Sequence, residues 1–303
     1  MGKSTIRFLA KRESVIAEAL NAIRPKTNFS IRGHGNRQRN SFKILRNSGR
    51  DSDKFGSSVH QSFKTINKER HSLACVCEQS RARLAMVSYV FPILKKRFLR
   101  SAPTHFVTIV LPTHHRDPGN LHTIEARTIL RKFDDGMRDL CRNYRKAIGV
   151  GVLEIAAYEG RNGSVQFHPH VHALVSGPSR EEILEVFKVR KSPKQPPRNK
   201  PVQANVVKCV CKMAYYSLYM TKFKPEHSSP YETEDGKKGR SNATISPDMK
   251  AEWLDWMADY TISEVFSIHG LSRARVDKLY GAEMETVVKR FLKETDCKHS
   301  EEH

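Results

Sequence analysis

The chain has 303 residues, long enough for one large domain or two modest ones, and carries 53 Lys and Arg against 32 Asp and Glu, a formal net charge of +21. A surplus of that size exceeds what solubility needs and points to a polyanionic partner, which for a basic chain is usually nucleic acid. No apolar run approaches the ~18 residues of a membrane span, residues 1–7 lack a signal-peptide stretch, and six irregularly spaced cysteines read as thiols or metal ligands, so a cytoplasmic protein with no membrane partner is expected.

Residues 1–71 hold 16 Lys and Arg against 5 Asp and Glu, a surplus of 11. The stretch 31–58 is rich in Gly, Asn, Ser and Arg, with little periodicity. It reads as a poorly ordered basic arm, serving either phosphate contact or solubility. From 78 to 91 the pattern is helical, with Leu84, Val87 and Phe91 on one stripe and Pro92 ending or kinking it. Residues 105–112 form a β-rich run. A helix is expected over 123–146, with Leu130, Phe133, Met137, Leu140 and Tyr144 as its buried stripe.

Residues 151–158 read as a second strand, and Gly160-Arg161-Asn162-Gly163 supplies a turn. The third strand is Gln166-Phe167-His168-Pro169-His170-Val171-His172-Ala173-Leu174-Val175, the most informative segment of the chain. Alternation puts His168, His170 and His172 on one face. Val165, Phe167, Val171, Ala173 and Val175 take the other, which reads as core. Ser179 and Glu182 make a capping box for a helix running to 189. Residues 191–201, with four prolines, form an exposed loop. A strand over 202–207 and a helix over 210–223 follow. The segment 226–246 reads as polar loop and the remainder as helical, with Trp253, Leu254 and Met257 on one apolar face. No internal repeat is visible. The order strand, helix, hairpin, helix, strand, helix predicts an α+β fold, an antiparallel sheet with helices against one face, plus a helical C-terminal region.

Three elements carry chemistry. Two imidazoles on one side of a rigid strand, His170 and His172, can hold a divalent metal. Glu154 shares its face with Val152, Ala156 and Tyr158, and hairpin pairing would bring it beside them; the alternatives are an exposed strand residue or an ion-pair partner. Glu159 lies too near the turn. Two imidazoles and a carboxylate leave coordination positions open for substrate oxygens. On the helix, Tyr215 and Tyr219 lie one turn apart, and Lys222 follows at i+7 from Tyr215 on the same face. Two phenols and an ammonium suggest nucleophiles with an electrostatic partner, since a phenol is a poor nucleophile until its charge is stabilised.

Taken together, these segments resemble the HUH endonucleases, and within them the rolling-circle replication initiators of small plasmids and phages. Phe106-Val107-Thr108-Ile109-Val110-Leu111-Pro112 is similar to that family's first motif. His168-Pro169-His170-Val171-His172-Ala173-Leu174-Val175 resembles its metal-binding motif, and Tyr215-x-x-x-Tyr219-x-x-Lys222 its two-tyrosine catalytic motif. The likeness covers about residues 75–225. It implies a nicking and joining domain over 72–225, between the arm (1–71) and a C-terminal region (226–303).

The resemblance further implies that His170, His172 and an acidic third ligand, Glu154, bind Mg²⁺ or Mn²⁺ to polarise a scissile phosphate of single-stranded origin DNA. A tyrosine, Tyr219 before Tyr215, attacks to give a 5′-phosphotyrosine and a free 3′-hydroxyl. The second tyrosine can then take the newly made strand, Lys222 places phosphate or stabilises charge, and His168 flanks the site. A host polymerase would extend the 3′ end. A host helicase would part the strands, because the chain lacks a Gly-x-x-x-x-Gly-Lys-Ser/Thr loop. A transposase of the same chemistry is the nearest rival, and a non-catalytic nucleic-acid-binding protein the rival of another class. A conjugative relaxase fits less well, since those place the tyrosine before the histidines.

Two further signals are weaker. Cys75-Val76-Cys77 and Cys209-Val210-Cys211 read as unpaired thiols or as a four-thiolate zinc site. Residues 262–279, with Gly270 between apolar segments, read as an ordinary helical hairpin or as a helix-turn-helix presenting Arg273, Arg275 and Lys278 to duplex DNA.

Overall fold

A computed structural model describes residues 90–271 except 161–162, 190–200, 224, 226, 234, 237 and 244, together with 43–44, 47–49, 79 and 86. The 1–71 arm (apart from those few residues), Cys75, Cys77 and the 272–303 segment with Arg273, Arg275 and Lys278 lie outside the described residues.

The elements follow the expected order. Helix α1 (Phe91–Phe98) leads into β1 (Thr104–Val110), α2 (Ala126–Asn143), β2 (Ile148–Glu159), β3 (Val165–Ser176), α3 (Arg180–Val186), β4 (Val202–Val206) and α4 (Val210–Tyr219). Then come β5 (His227–Glu232), β6 (Lys238–Ala243), α5 (Pro247–Ala258), α6 (Ile262–Val265) and β7 (Phe266–His269). The strands form one sheet in the order β4-β1-β3-β2-β5-β6, with β7 also on β2. The sheet is mixed rather than purely antiparallel, because Ala157 and Tyr158 of β2 pair in parallel with His227 and Ser228 of β5.

β2 and β3 form the central hairpin, pairing from Ile148↔Ser176 to Glu159↔Val165. Pro169 lacks a ladder donor, yet it sits mid-sheet. The β1 ladder ends at Val110↔His170, and the chain returns only at Arg116, which exchanges both backbone bonds with Phe167. The missing N–H of Pro169 therefore faces a gap in the pairing.

The odd-numbered face of the hairpin is apolar and fully buried: Phe167, Val171, Ala173 and Val175 have no exposure. α2 lies on that face through Phe133 and Met137. It comes close because β2 has glycines there: a Cβ on Gly151 would stand 2.7 Å from the Phe133 ring. Gly151→Val should therefore cost about 1–3 kcal/mol by overpacking, read as a lower midpoint in urea unfolding; an unchanged midpoint would mean that α2 can back away.

Helices cover both faces, not one. On the even-numbered face Tyr216 of α4 stacks flat on Phe106 of β1, with centroids 4.2 Å apart and planes 6° apart. The one-face expectation failed because helix periodicity shows which side of a helix is buried, not which side of the sheet it meets.

Pro92 lies in the first turn of α1, where no donor is needed from it; Val90 before it is still helical, and most of 78–89 lies outside the described residues. Three local expectations are corrected. Residues 227–243 form the β5–β6 hairpin where polar loop was expected. The C-terminal region is not wholly helical: residues 266–269 are strand β7, paired with Gly149–Val152. Within 262–279, the short helix α6 is followed by β7 rather than leading directly to Gly270, which has φ +74. The capping box at Ser179 and Glu182 is present, although α3 stops at Val186.

Two polar clusters tie the C-terminal elements to the sheet. The buried carboxylate of Glu252 in α5 accepts from the Gly119 and Leu121 N–H groups, each at 2.7 Å, and Trp256 Nε1 donates to the Ile124 carbonyl at 2.8 Å. They fix the loop that starts α2. On β7, Ser267 Oγ donates to Asp134 of α2, and His269 Nε2 lies 3.0 Å from Ser267 Oγ and 3.1 Å from Asp134 Oδ1. This Ser, His and Asp cluster is no catalytic relay, since hydroxyl and carboxylate meet the same ring nitrogen.

Burial pushes the Asp134 carboxyl up, but hydrogen bonds from His269 and Ser267, with the charges of His269 and Arg127, outweigh it and hold it below its ordinary value. A carboxyl depressed in the folded state stabilises at pH above its unfolded value of about 4, and that contribution disappears as pH falls through the folded value. Asp134→Asn should therefore lower the melting temperature more at pH 7 than near pH 3, where part of the contribution is gone. An equal loss at both pH values would contradict it.

Candidate metal centre and tyrosine helix

The even-numbered face carries the chemistry. Register places Glu154 of β2 directly opposite His170 of β3, and Val152 opposite His172. Glu154 Oε2 lies 3.2 Å from His172 Nε2 and 3.6 Å from His170 Nε2, and the two ring nitrogens are 3.1 Å apart. All three residues are largely buried, and they form a group able to hold a metal ion.

Three observations show that the donors fit a metal. Ligands ~2.1 Å from an ion and at right angles to one another stand about 3 Å apart, close to these separations. The buried Glu154 Oε2 has no hydrogen-bond partner of good geometry among the described residues, although its neighbours crowd it. The outer ring nitrogens are held from behind, His170 Nδ1 by the His168 carbonyl at 3.0 Å and His172 Nδ1 by Thr108 Oγ1 at 3.0 Å. A carbonyl can only accept, so His170 carries its proton on Nδ1 and turns the Nε2 lone pair inward.

The electrostatics agree. Burial, with the neighbouring His170, pushes His172 down to about 4 against the pull of Glu154, so it is a neutral ligand at pH 7. Burial alone would raise Glu154. The two imidazoles beside it outweigh that and hold it well below the ordinary range instead, and it is ionised. Lys222 Nζ reaches the other oxygen, Glu154 Oε1, at 2.7 Å. The carboxylate thus joins two elements, one oxygen toward the histidines and one toward the residues after α4.

α4 is docked by Tyr216 on Phe106, whose ring also stacks on His172 at 5.2 Å. That docking turns Tyr219 inward. Its ring lies 5.1 Å from the His172 ring, and Lys222 Nζ sits 4.1 Å from its centroid. Tyr215 stacks on Tyr219 at 5.9 Å but is 53% exposed, on the outer rim, with Lys212 Nζ 5.5 Å from its ring. Phe223 follows Lys222 with φ +39, a strained backbone for a bulky residue, and turns the chain sharply away.

Glu154, His170, His172, Lys222 and Tyr219 therefore converge, with Tyr215 next outward. Tyr216 is the structural anchor, which separates it from its neighbour Tyr215. Thr108 and Phe106, which orient His172 and seat α4, belong to the 106–112 run that the sequence marked, but no individual role was read for either of them there. Cys209 is a free, half-buried thiol that accepts from the Lys212 N–H at 3.4 Å; the Cys211 side chain lies outside the described residues. No helix among the described residues is long and apolar enough to cross a membrane.

Comparison with protein-family models, with curated proteins and with solved structures finds no match.

Proposed function

We propose that this chain is a metal-dependent nicking and joining enzyme of single-stranded DNA, of the HUH type, that initiates rolling-circle replication at a plasmid or phage origin. The observation that carries the reading is the contact of Tyr219 with His172 inside a Glu–His–His triad, with Lys222 bridging the phenol ring and Glu154. Two nitrogens and one carboxylate oxygen suit Mn²⁺ as well as or better than Mg²⁺. Held by Glu154, His170 and His172, the ion would supply positive charge to the non-bridging oxygens of the scissile phosphate.

The chain's own residues do the rest. The Tyr219 phenol oxygen attacks phosphorus as its proton leaves, an O–P bond forms, and the bond from phosphorus to the 3′ oxygen breaks. The departing oxygen takes a proton to become a 3′-hydroxyl, and the 5′ side stays on Tyr219. Lys222 sets a cation beside the ring as phenolate charge develops. Tyr215, exposed one turn away, is placed to take a second strand, so that joining can follow nicking. A transposase would use the same centre, and only the DNA ends recognised separate the two.

The reading is tested by incubating the purified chain with a single-stranded DNA pool that includes candidate origins, in Mn²⁺, Mg²⁺ or chelator, before a denaturing gel. A metal-dependent band resistant to SDS is expected. Failure with every metal would favour a non-catalytic nucleic-acid-binding protein.

A further inference from the structure

A row of planar side chains leads away from the metal centre along the same face of the sheet. His168 stands two residues before His170 and opposite Ala156 of β2. Its ring stacks with that of His115 at 3.5 Å between centroids and with that of Tyr158 at 4.7 Å. The row ends in a cation: the Arg240 guanidinium carbon of β6 lies 3.4 Å from the Tyr158 ring centroid.

Arg240 is exposed, yet it is not a loose surface arginine. Its Nε donates to Ser228 Oγ at 2.9 Å, and Nη2 donates to the Ser228 carbonyl at 2.9 Å and to the Glu159 carbonyl at the end of β2. With one face on Tyr158 and two nitrogens anchored, the fork has a fixed orientation. Nη1 makes no hydrogen bond among the described residues, and no carboxylate there lies within ion-pair distance of the guanidinium; the Glu159 carboxylate acts on it only through space and meets His227 at 3.5 Å. Anchored by carbonyls, a hydroxyl and a ring, the guanidinium keeps its Nη1 edge facing outward with its positive charge. Tyr158 stands four residues from Glu154 along β2, and at ~3.3 Å per residue this end of the row lies about 13 Å from the triad, within reach of one extended strand.

We propose that Arg240, laid flat on Tyr158 by the β5–β6 hairpin, is a fixed contact for a backbone phosphate about two nucleotides along the single strand from the one at the metal centre. The inference deepens the nicking reading and rests on it for the identity of the strand. The hairpin's role is then to carry this cation to the site face. The His115–His168–Tyr158 stack is the rigid wall that sets its height.

The test measures binding, not cleavage. The full chain, in chelator, is titrated with a fluorescent oligothymidylate about 20 nucleotides long at several salt concentrations. Each phosphate neutralised on a single strand contributes about 0.7 to the slope of log affinity against log salt, so Arg240→Gln should lower the slope by about that amount and weaken binding roughly tenfold at low salt. Arg240→Lys should keep the slope. Arg138→Gln, on exposed α2, should leave slope and affinity unchanged. An unchanged slope in Arg240→Gln, or an equal fall in Arg138→Gln, would overturn the proposal.

Should Arg240→Gln fail to fold, the unaltered chain decides. Oligothymidylate should shield Arg240, and not Arg138, from phenylglyoxal as read by mass spectrometry. Equal labelling with and without the oligonucleotide would overturn the contact. A lost slope in a chain that never forms an adduct would keep Arg240 and sink the nicking reading; adducts with an unchanged slope would do the reverse.

Discussion

Tyr219→Phe should abolish the covalent protein–DNA band, by roughly a thousandfold or more, while leaving folding and oligonucleotide binding intact. The ring remains, so the stack with Tyr215 and the edge contact with His172 survive, and only the attacking oxygen is gone. Tyr215→Phe should behave differently, because its ring stands on the exposed rim and touches Tyr219 rather than the histidines. The first nick should persist, and joining, scored as circular product from a two-site substrate, should fall. Adducts that survive Tyr219→Phe and vanish in Tyr215→Phe would reverse the two roles and require α4 to rotate when DNA binds.

The second large effect concerns the metal. Mn²⁺ should raise the melting temperature, since an ion that binds only the folded chain adds about 2.7 kcal/mol at a hundred times its dissociation constant. His172→Ala should erase that shift and the adduct together, because two donors cannot replace three. Thr108→Val is the more discriminating variant. It keeps the shape of the strand and removes only the hydroxyl 3.0 Å behind His172 Nδ1, so metal affinity should fall about 10–100-fold with little change in the metal-free melting temperature. Unchanged Mn²⁺ affinity in His172→Ala, measured by calorimetry, would remove the triad as the metal site.

Much of this centre was legible because strand alternation is a hard rule. His170 and His172 had to share a face, and Glu154 had to share the face of Val152 and Tyr158; the hairpin turn then brought the two faces together. Thr108 was not legible, since its place behind His172 depends on the register of β1 against β3, which lies outside either strand's own pattern. The β5–β6 hairpin was hidden for a related reason. His227-Ser228-Ser229-Pro230-Tyr231-Glu232 and Lys238-Gly239-Arg240-Ser241-Asn242-Ala243 lack apolar alternation, and Pro230 and Gly239 speak against strand. Pairing with the end of β2 decides their state, and Arg240 went unremarked with them. β7 is four residues long, too short for its period to outweigh the helical pattern around it. Tyr215 and Tyr216 were ambiguous as neighbours on a helix; the flat stack of Tyr216 on Phe106 assigns one to the sheet and leaves the other to the rim.

The central claim is that a tyrosine beside the Glu154, His170 and His172 triad becomes covalently joined to DNA. The most direct measurement is mass spectrometry of the nuclease-trimmed adduct formed with Mn²⁺ and an origin-bearing single strand. The account predicts a peptide carrying a nucleotide 5′-phosphate on Tyr219. A linkage confined to a residue away from the triad, or the same linkage formed equally well in chelator, would contradict it.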